Sequence, residues 1–174
     1  MKDLCLNPKR FASHLAVYIV VKNDRNEILL HQRSEGSRYL AGHWDFPSGH
    51  VEAGEGIAVT AARELKEETD LATEPDNLKL IAIASDQTDF PYVNFLFLAD
   101  RWEGVSRIIE PDKCDDMRWF PLGKLPSKCT PMVRIYEEKK FSNELSFHYM
   151  GEEEFTRLMG GQYDPETRSV IQSS

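Results

Sequence analysis

Apolar and polar positions change period several times along this chain. "HLAVYIVV" (14–21) is a nearly unbroken apolar run rich in β-branched residues, the pattern of a buried strand. The turn cluster "NDRNE" follows, and "ILLHQR" (28–33) then reads as the second strand of a hairpin. "WDFPSGH" (44–50) reads as a short strand ending in a Pro and Gly turn. Residues 57–69 shift to helical spacing, with Ala58, Ala62 and Leu65 as the expected packing stripe. "NLKLIAIASDQ" and "YVNFLFLADRW" are two long strands. In the second, Tyr92, Asn94 and Leu96 share one face and Val93, Phe95 and Phe97 the other. "MRWFPL" is a further strand, and "PMVRIYEEKK" (131–140) a second helix with Pro131 near its first turn. The order β, β, β, α, β, β, β, α predicts an α+β fold, a mixed β-sheet with helices packed on it. Residues 1–150 read as one domain. Residues 151–174 have weak pattern and many polar positions, and are expected to be an appendage, in part disordered at its end.

Composition narrows the partners. At 174 residues the chain is long enough for a real core. A net charge of −8 argues against a broad nucleic-acid or anionic-membrane surface. A small anionic ligand stays compatible with that charge, because a divalent cation can bring it to an acidic site. The sequence holds no apolar run of membrane-spanning length, and its first residues lack the apolar segment of a signal peptide. Cys5, Cys114 and Cys129 form no C-x-x-C pair and are expected to be reduced thiols of a cytoplasmic protein.

The acidic stretch "SGHVEAGEGIAVTAARELKEETDL" (48–71) carries the candidate chemistry. On a helix, Glu64, Glu67 and Glu68 stand at i, i+3 and i+4 and stack on one face, where like charges repel. A solvated acidic face is one reading and a bound cation the other. The preceding loop, "PSGHVEAGEG", favours the cation, because its glycines permit close backbone approach and its carbonyls are hard oxygen ligands. Such donors suit Mg2+, with Mn2+ as a substitute, rather than zinc. Glu55 and Arg63, two helical turns apart, are expected to brace loop against helix by an ion pair.

Gly49, Glu55, Arg63, Glu64, Leu65, Glu67, Glu68 and Leu71 meet eight of the nine fixed positions of G-x5-E-x7-R-E-U-x-E-E-x-G-U, where U is apolar. The chain thus resembles the Nudix hydrolase family, and "ILLHQR", "WDFPSGH" and "CDDMRWFPLGKLP" are similar to its MutT-like branch. The resemblance covers residues 14–140 and implies a Nudix fold, a mixed sheet sandwiched between α-helices. Two positions depart from the pattern. Asp70 replaces the final glycine and is expected to take a left-handed conformation and end the helix normally. Ser48 stands where many relatives have another glycine; its backbone carbonyl survives the change.

The resemblance implies Mg2+-dependent hydrolysis of a phosphoanhydride bond in a nucleoside diphosphate linked to another group. A nucleoside triphosphate, oxidised forms included, is the first expectation, giving monophosphate and pyrophosphate. ADP-ribose, a dinucleotide or a nucleotide sugar is the alternative, and a non-catalytic nucleotide-binding module a third. Carried over by position, Ser48 O, Glu67 and Glu68 are the implied metal ligands. Glu64 is the implied base or the residue orienting the attacking water, and it is a further ligand candidate. Arg63 and Glu55 support it. Glu110 is the candidate acid from a later loop, ahead of Glu103. Arg33 is a candidate for a terminal phosphate, and Trp44, Phe46, Phe90, Tyr92 and Phe95 for base contact. His43 and His50 are expected to be loop histidines without a catalytic role. The expected partner is a small nucleotide, bound by a monomer or homodimer.

Overall fold

A computed structural model describes residues 12–86, 91–138, 144–161, 163–164 and 169–170. Its strands are β1 His14–Val21, β2 Glu27–Arg33, β3 Trp44–Asp45, β4 Ser48–His50, β5 Leu78–Asp86, β6 Tyr92–Ala99, β7 Cys114–Pro121, β8 Ser146–Met150, β9 Tyr163–Asp164 and β10 Ser169–Val170. Its helices are α1 Ile57–Thr69, α2 Pro131–Glu138 and α3 Glu152–Leu158. A five-stranded mixed sheet runs β4-β1-β6-β5-β8, a three-stranded one β3-β2-β7, and β9 pairs β10. Phe90 and Cys5 lie outside the described residues.

Alternation in β1 and β6 sets the layers. Val17, Ile19, Val21 and Phe97 pack with Ala61, Leu65 and Leu71 of the α1 region. Val20 and Leu96, on the opposite face, join Met132, Val133 and Ile135 of α2 and Leu158 of α3. The mixed sheet is therefore sandwiched between helices, as the α+β reading expects. Each fully buried aliphatic side chain here contributes roughly 1.5–3 kcal/mol. The core stripe of α1 runs through Ala61 and Leu65, with Ala58 partly buried beside them, and leaves out Ala62. Ala61 stands about 40° from Leu65 around the helix, and Ala62 about 60° away on the other side.

The expected β1–β2 hairpin is corrected. The two strands share the turn, where Asn23 Oδ1 accepts from the Arg25 and Glu27 N–H groups, and one bridge, Lys22 to Ile28. They then part into different sheets. β1 already has both edges occupied, antiparallel by β4 and parallel by β6, so β2 pairs with β3 and β7 instead. "WDFPSGH" likewise divides into β3 and β4, one in each sheet.

Asp70 has φ 63° and ψ 5°, the left-handed cap expected of it, and its N–H donates to Lys66 O. Its carboxylate is ion-paired with Lys66 and Arg107. Residues 151–161, expected as an appendage, carry α3, which buries Phe155, Leu158 and Met159. Arg157 clamps α3 to α2 through Glu138, with contacts of 2.7 and 2.9 Å. Cys114 and Cys129 are free and buried, and burial pushes their thiols up to about 11 and 12. Among the described residues no helix is long and apolar enough to cross a membrane.

Candidate active site

The loop before α1 is fastened to the helix by one guanidinium. Arg63 Nε and Nη2 donate to the two oxygens of Glu55 at 3.0 Å each, a bidentate pair. Thr60 Oγ1 adds a 2.7 Å bond to the same carboxylate. The Arg63 bonds, with help from Thr60, hold Glu55 down at about 2. Arg63 Nη1 reaches further, donating to Glu64 Oε1 at 2.8 Å and Glu67 Oε2 at 2.9 Å. One cation thus offsets three of the acids that face it.

Glu68 is placed differently. Its Oε2 accepts from the Ser48 N–H at 2.9 Å, across from α1 to β4. His31 Nδ1 lies 3.7 Å from the same oxygen. Burial, then the nearby charges of Glu64, Glu110 and Asp45, pushes the Glu68 carboxyl up to about 8, against the pull of the Ser48 N–H. Burial likewise raises Glu64, against the pull of Arg63. The Glu64 and Glu68 side chains are each 15% exposed, whereas Glu67 is 55% exposed and points away. Gly49 is required here: a Cβ at that position would overlap the Glu64 carboxyl.

Ser48, Gly49, Glu64, Glu68 and Glu110 line one cavity of about 850 Å³, and Arg33 and Tyr92 line it too. Glu110 comes from the loop after β6 and is paired with Lys113 at 2.7 Å. The backbone of that loop is tied to the end of α1, Arg107 N–H donating to Thr69 O. Glu103 instead pairs backbone to backbone with Ala72. Arg33 is held by Tyr39 O at 2.8 Å and by Asp45 at 3.4 Å, and its guanidinium lies over the Tyr39 ring. Asp45 also accepts from Thr130 Oγ1 at 2.6 Å and the Phe46 N–H, and burial pushes it up to about 6.

The donors fit a hard divalent cation in their chemistry. They are carboxylate oxygens around one cavity, with the Ser48–Gly49 backbone beside them, and their mutual repulsion is what such a cation relieves. Among the described residues no three His, Cys, Asp or Glu side chains stand together as a cation cage, and Glu64 and Glu67 rest on Arg63.

Trp44 and Phe46, expected as base contacts, do not line the cavity. Both are core residues, Trp44 edge-on to Phe120 and Phe46 edge-on to Tyr136. Phe95 belongs to the α1 side of the sheet. His43 is buried with its Nδ1 on Ala41 O. His50 lines the cavity and bonds the Tyr92 hydroxyl at 3.0 Å. Sequence reasoning missed His31, Tyr39, Lys113 and Phe155 as cavity residues. His31 was within reach, because it precedes Arg33 by two on β2 and so shares its face.

The 8-oxo-dGDP phosphatase NUDT18 of Homo sapiens is 31% identical over 115 residues, 65% of this chain and 33% of that protein. Phosphatase NudJ of Escherichia coli O1:K1 / APEC is 34% identical over 63% of this chain and 69% of its own. This chain therefore spans about a third of NUDT18 and about two thirds of NudJ. Among solved structures, a MutT NUDIX hydrolase from Burkholderia pseudomallei matches 75% of this chain and all of its own, at TM-score 0.69 and 27% identity. The family model for the NUDIX domain matches residues 12–142, which include Gly49, Glu55, Arg63, Glu64 and Glu68 in the geometry just described, and the chain belongs to that family.

Proposed function

We propose that the protein hydrolyses a phosphoanhydride bond in a nucleoside diphosphate derivative, with a nucleoside triphosphate cut to monophosphate and pyrophosphate as the first reading. The observation that carries it is Glu68, a buried carboxylate held by the Ser48 N–H and facing a cavity shared with Glu64 and Glu110. Glu68 and Ser48 O would hold a divalent cation, Mg2+ or Mn2+, with Glu110 as the acid from the later loop and Glu64 beside the site as base first and further ligand candidate second. Glu67 stays a ligand candidate, one that would have to turn inward from its exposed position. When bound, the cation neutralises phosphate oxygens and makes the attacking water more acidic.

The chain's own residues do the rest. Glu64, braced by Arg63 and raised by burial, accepts the proton of the attacking water, a contribution of about 10²- to 10⁴-fold. Arg63 and Glu55 fix the loop so that the Ser48–Gly49 backbone stays against α1. Arg33, immobilised by Asp45 and Tyr39 O, presents a fixed cation to a phosphate.

A second reading has one observation behind it. The relative NUDT18 is named for an oxidised nucleoside diphosphate. A diphosphate would leave monophosphate and orthophosphate. A panel of nucleoside di- and triphosphates with Mg2+, scored for pyrophosphate against orthophosphate, separates the two. Full activity in excess EDTA would overturn both.

A further inference from the structure

The family match ends at residue 142, yet Phe155 of α3 lines the same cavity as the carboxylates. Phe155 stands edge-on to Tyr39 at 6.5 Å, and Tyr39 is 42% exposed, which leaves ring surface open to a ligand. Arg33 backs the Tyr39 ring at 5.4 Å. Arg157 fixes α3 on α2, so this wall is built rather than draped.

Asn94 of β6 lines the cavity as well and is 4% exposed. Its carboxamide makes no hydrogen bond among the described residues. Among the described residues no side-chain polar atom that is sealed from the surface lacks a partner, so the amide reaches the cavity rather than the core. An amide that opens on a cavity is hydrated when the cavity is empty and offers its donor and acceptor to a ligand that takes the place of that water. Strand register places Ala16 of β1 and Ala84 of β5 on either side of Asn94. Of the two, Ala16 also lines the cavity, so a small side chain stands beside the amide there. Ser48 lies on β4, two strands across and two residues along the sheet from Asn94, or about 12 Å at the usual spacings. That is the reach of a nucleoside from its 5′-phosphate to the far edge of its base.

We propose that the cavity is a base-reading site completed by the segment beyond the matched domain: Tyr39 and Phe155 supply the aromatic wall for a planar nitrogenous ring, and Asn94 reads its edge with one donor and one acceptor. The inference rests on the nucleotide reading above and adds the residues that choose among bases. An aromatic wall is tolerant of any flat ring, so the discrimination falls to the amide.

The test is kcat/KM for the four common nucleoside triphosphates and their deoxy forms, with Mg2+, on wild type, Asn94→Leu, Tyr39→Ala and Phe155→Leu. Asn94→Leu keeps the volume and removes the hydrogen bonds. Its kcat/KM for the preferred base should fall roughly 10- to 100-fold, mostly through KM, and the spread across bases should narrow to within about threefold. Tyr39→Ala, at an exposed position, should raise KM for all bases together. Phe155→Leu should do the same, while a circular-dichroism melt reports whether the fold is kept. An unchanged spread in Asn94→Leu, or a wild type indifferent to the base, would overturn the inference. Should wild type hydrolyse no nucleotide, the proposed reaction falls. Asn94 is then judged by calorimetry of the same panel: loss of base discrimination in Asn94→Leu sustains the inference, and absent or base-blind binding by wild type overturns it.

Discussion

Two sides of one helix treat the same side chain in opposite ways. On the Arg63 side, Glu55, Glu64 and Glu67 all receive bonds from a single guanidinium, and Glu55 is held far down. On the Ser48 side, Glu68 has one backbone N–H and, beside it, His31, whose imidazole burial pushes down to about 4; burial drives Glu68 itself up to about 8. Charge that is already answered fastens the loop. A carboxyl that is left unanswered and buried keeps its proton near neutral pH and can give it up to a cation that arrives. The contrast separates Glu55, which serves the scaffold, from Glu68, with Glu64 between them, held by Arg63 and yet raised by burial.

Replacing Glu68 should break the contrast most. Glu68→Gln keeps the shape and the bond from Ser48 but removes the carboxylate that forms when a cation binds. Mg2+-dependent turnover should drop roughly 10²- to 10⁴-fold. The rise in melting temperature that Mg2+ gives wild type should shrink with it; an undiminished rise would move the cation elsewhere. Glu64→Gln comes next, with a loss of about 10²-fold in kcat and metal binding retained in calorimetry. Loss of metal binding as well would make Glu64 a ligand first, and Glu110 the next base to test.

Asp45 sharpens the comparison, being a buried carboxylate that does have a cation. Its folded value of about 6 lies above the ordinary 3.8, because burial outweighs Arg33 and Thr130. The stability that the neutral carboxyl confers is present below about pH 4 and is lost as pH rises towards 6. Asp45→Asn is neutral throughout. Between pH 4 and pH 7 its stability should therefore gain on wild type, by up to roughly 3 kcal/mol. Parallel melting curves across that range would show that Arg33 fully compensates Asp45. Arg63→Met should lower the melting temperature by roughly 3–6 °C, since it frees three glutamates that face one another. Asp70→Gly should do least, within about 2 °C, because the relief of a left-handed aspartate is set against two exposed ion pairs.

What the sequence disclosed follows from the range of the forces involved. The brace from Glu55 to Arg63 and the cap at Asp70 depend on spacing within one helix and its loop, and both were legible. The parting of β1 and β2 was not, because it is decided by β6, far along the chain. Trp44 and Phe46 stand beside the glycine loop in sequence, but Pro47 and the switch of sheets turn them into the core. β8 was overlooked because "SFHYM" sets Phe147 and Tyr149 on its exposed face, against the usual rule. α3 was overlooked because seven residues with three leading glutamates give little periodicity. With it went Phe155.

Among the described residues β4 is an edge strand whose one partner strand is β1, and β1 closes on β6 across a gap of 78 residues, as between Ser13 and Pro91. Closures of that span come late in folding, since the chain must give up much freedom before any contact rewards it. The contact of Ser48 with Glu68 cannot form on a finished footing until then. The same dependence runs in reverse. Any excursion that lifts β1 releases β4 with it and dissolves the site. Amide exchange at Gly49 and His50 should therefore track exchange in β1, and ligand added to the protein should slow both together.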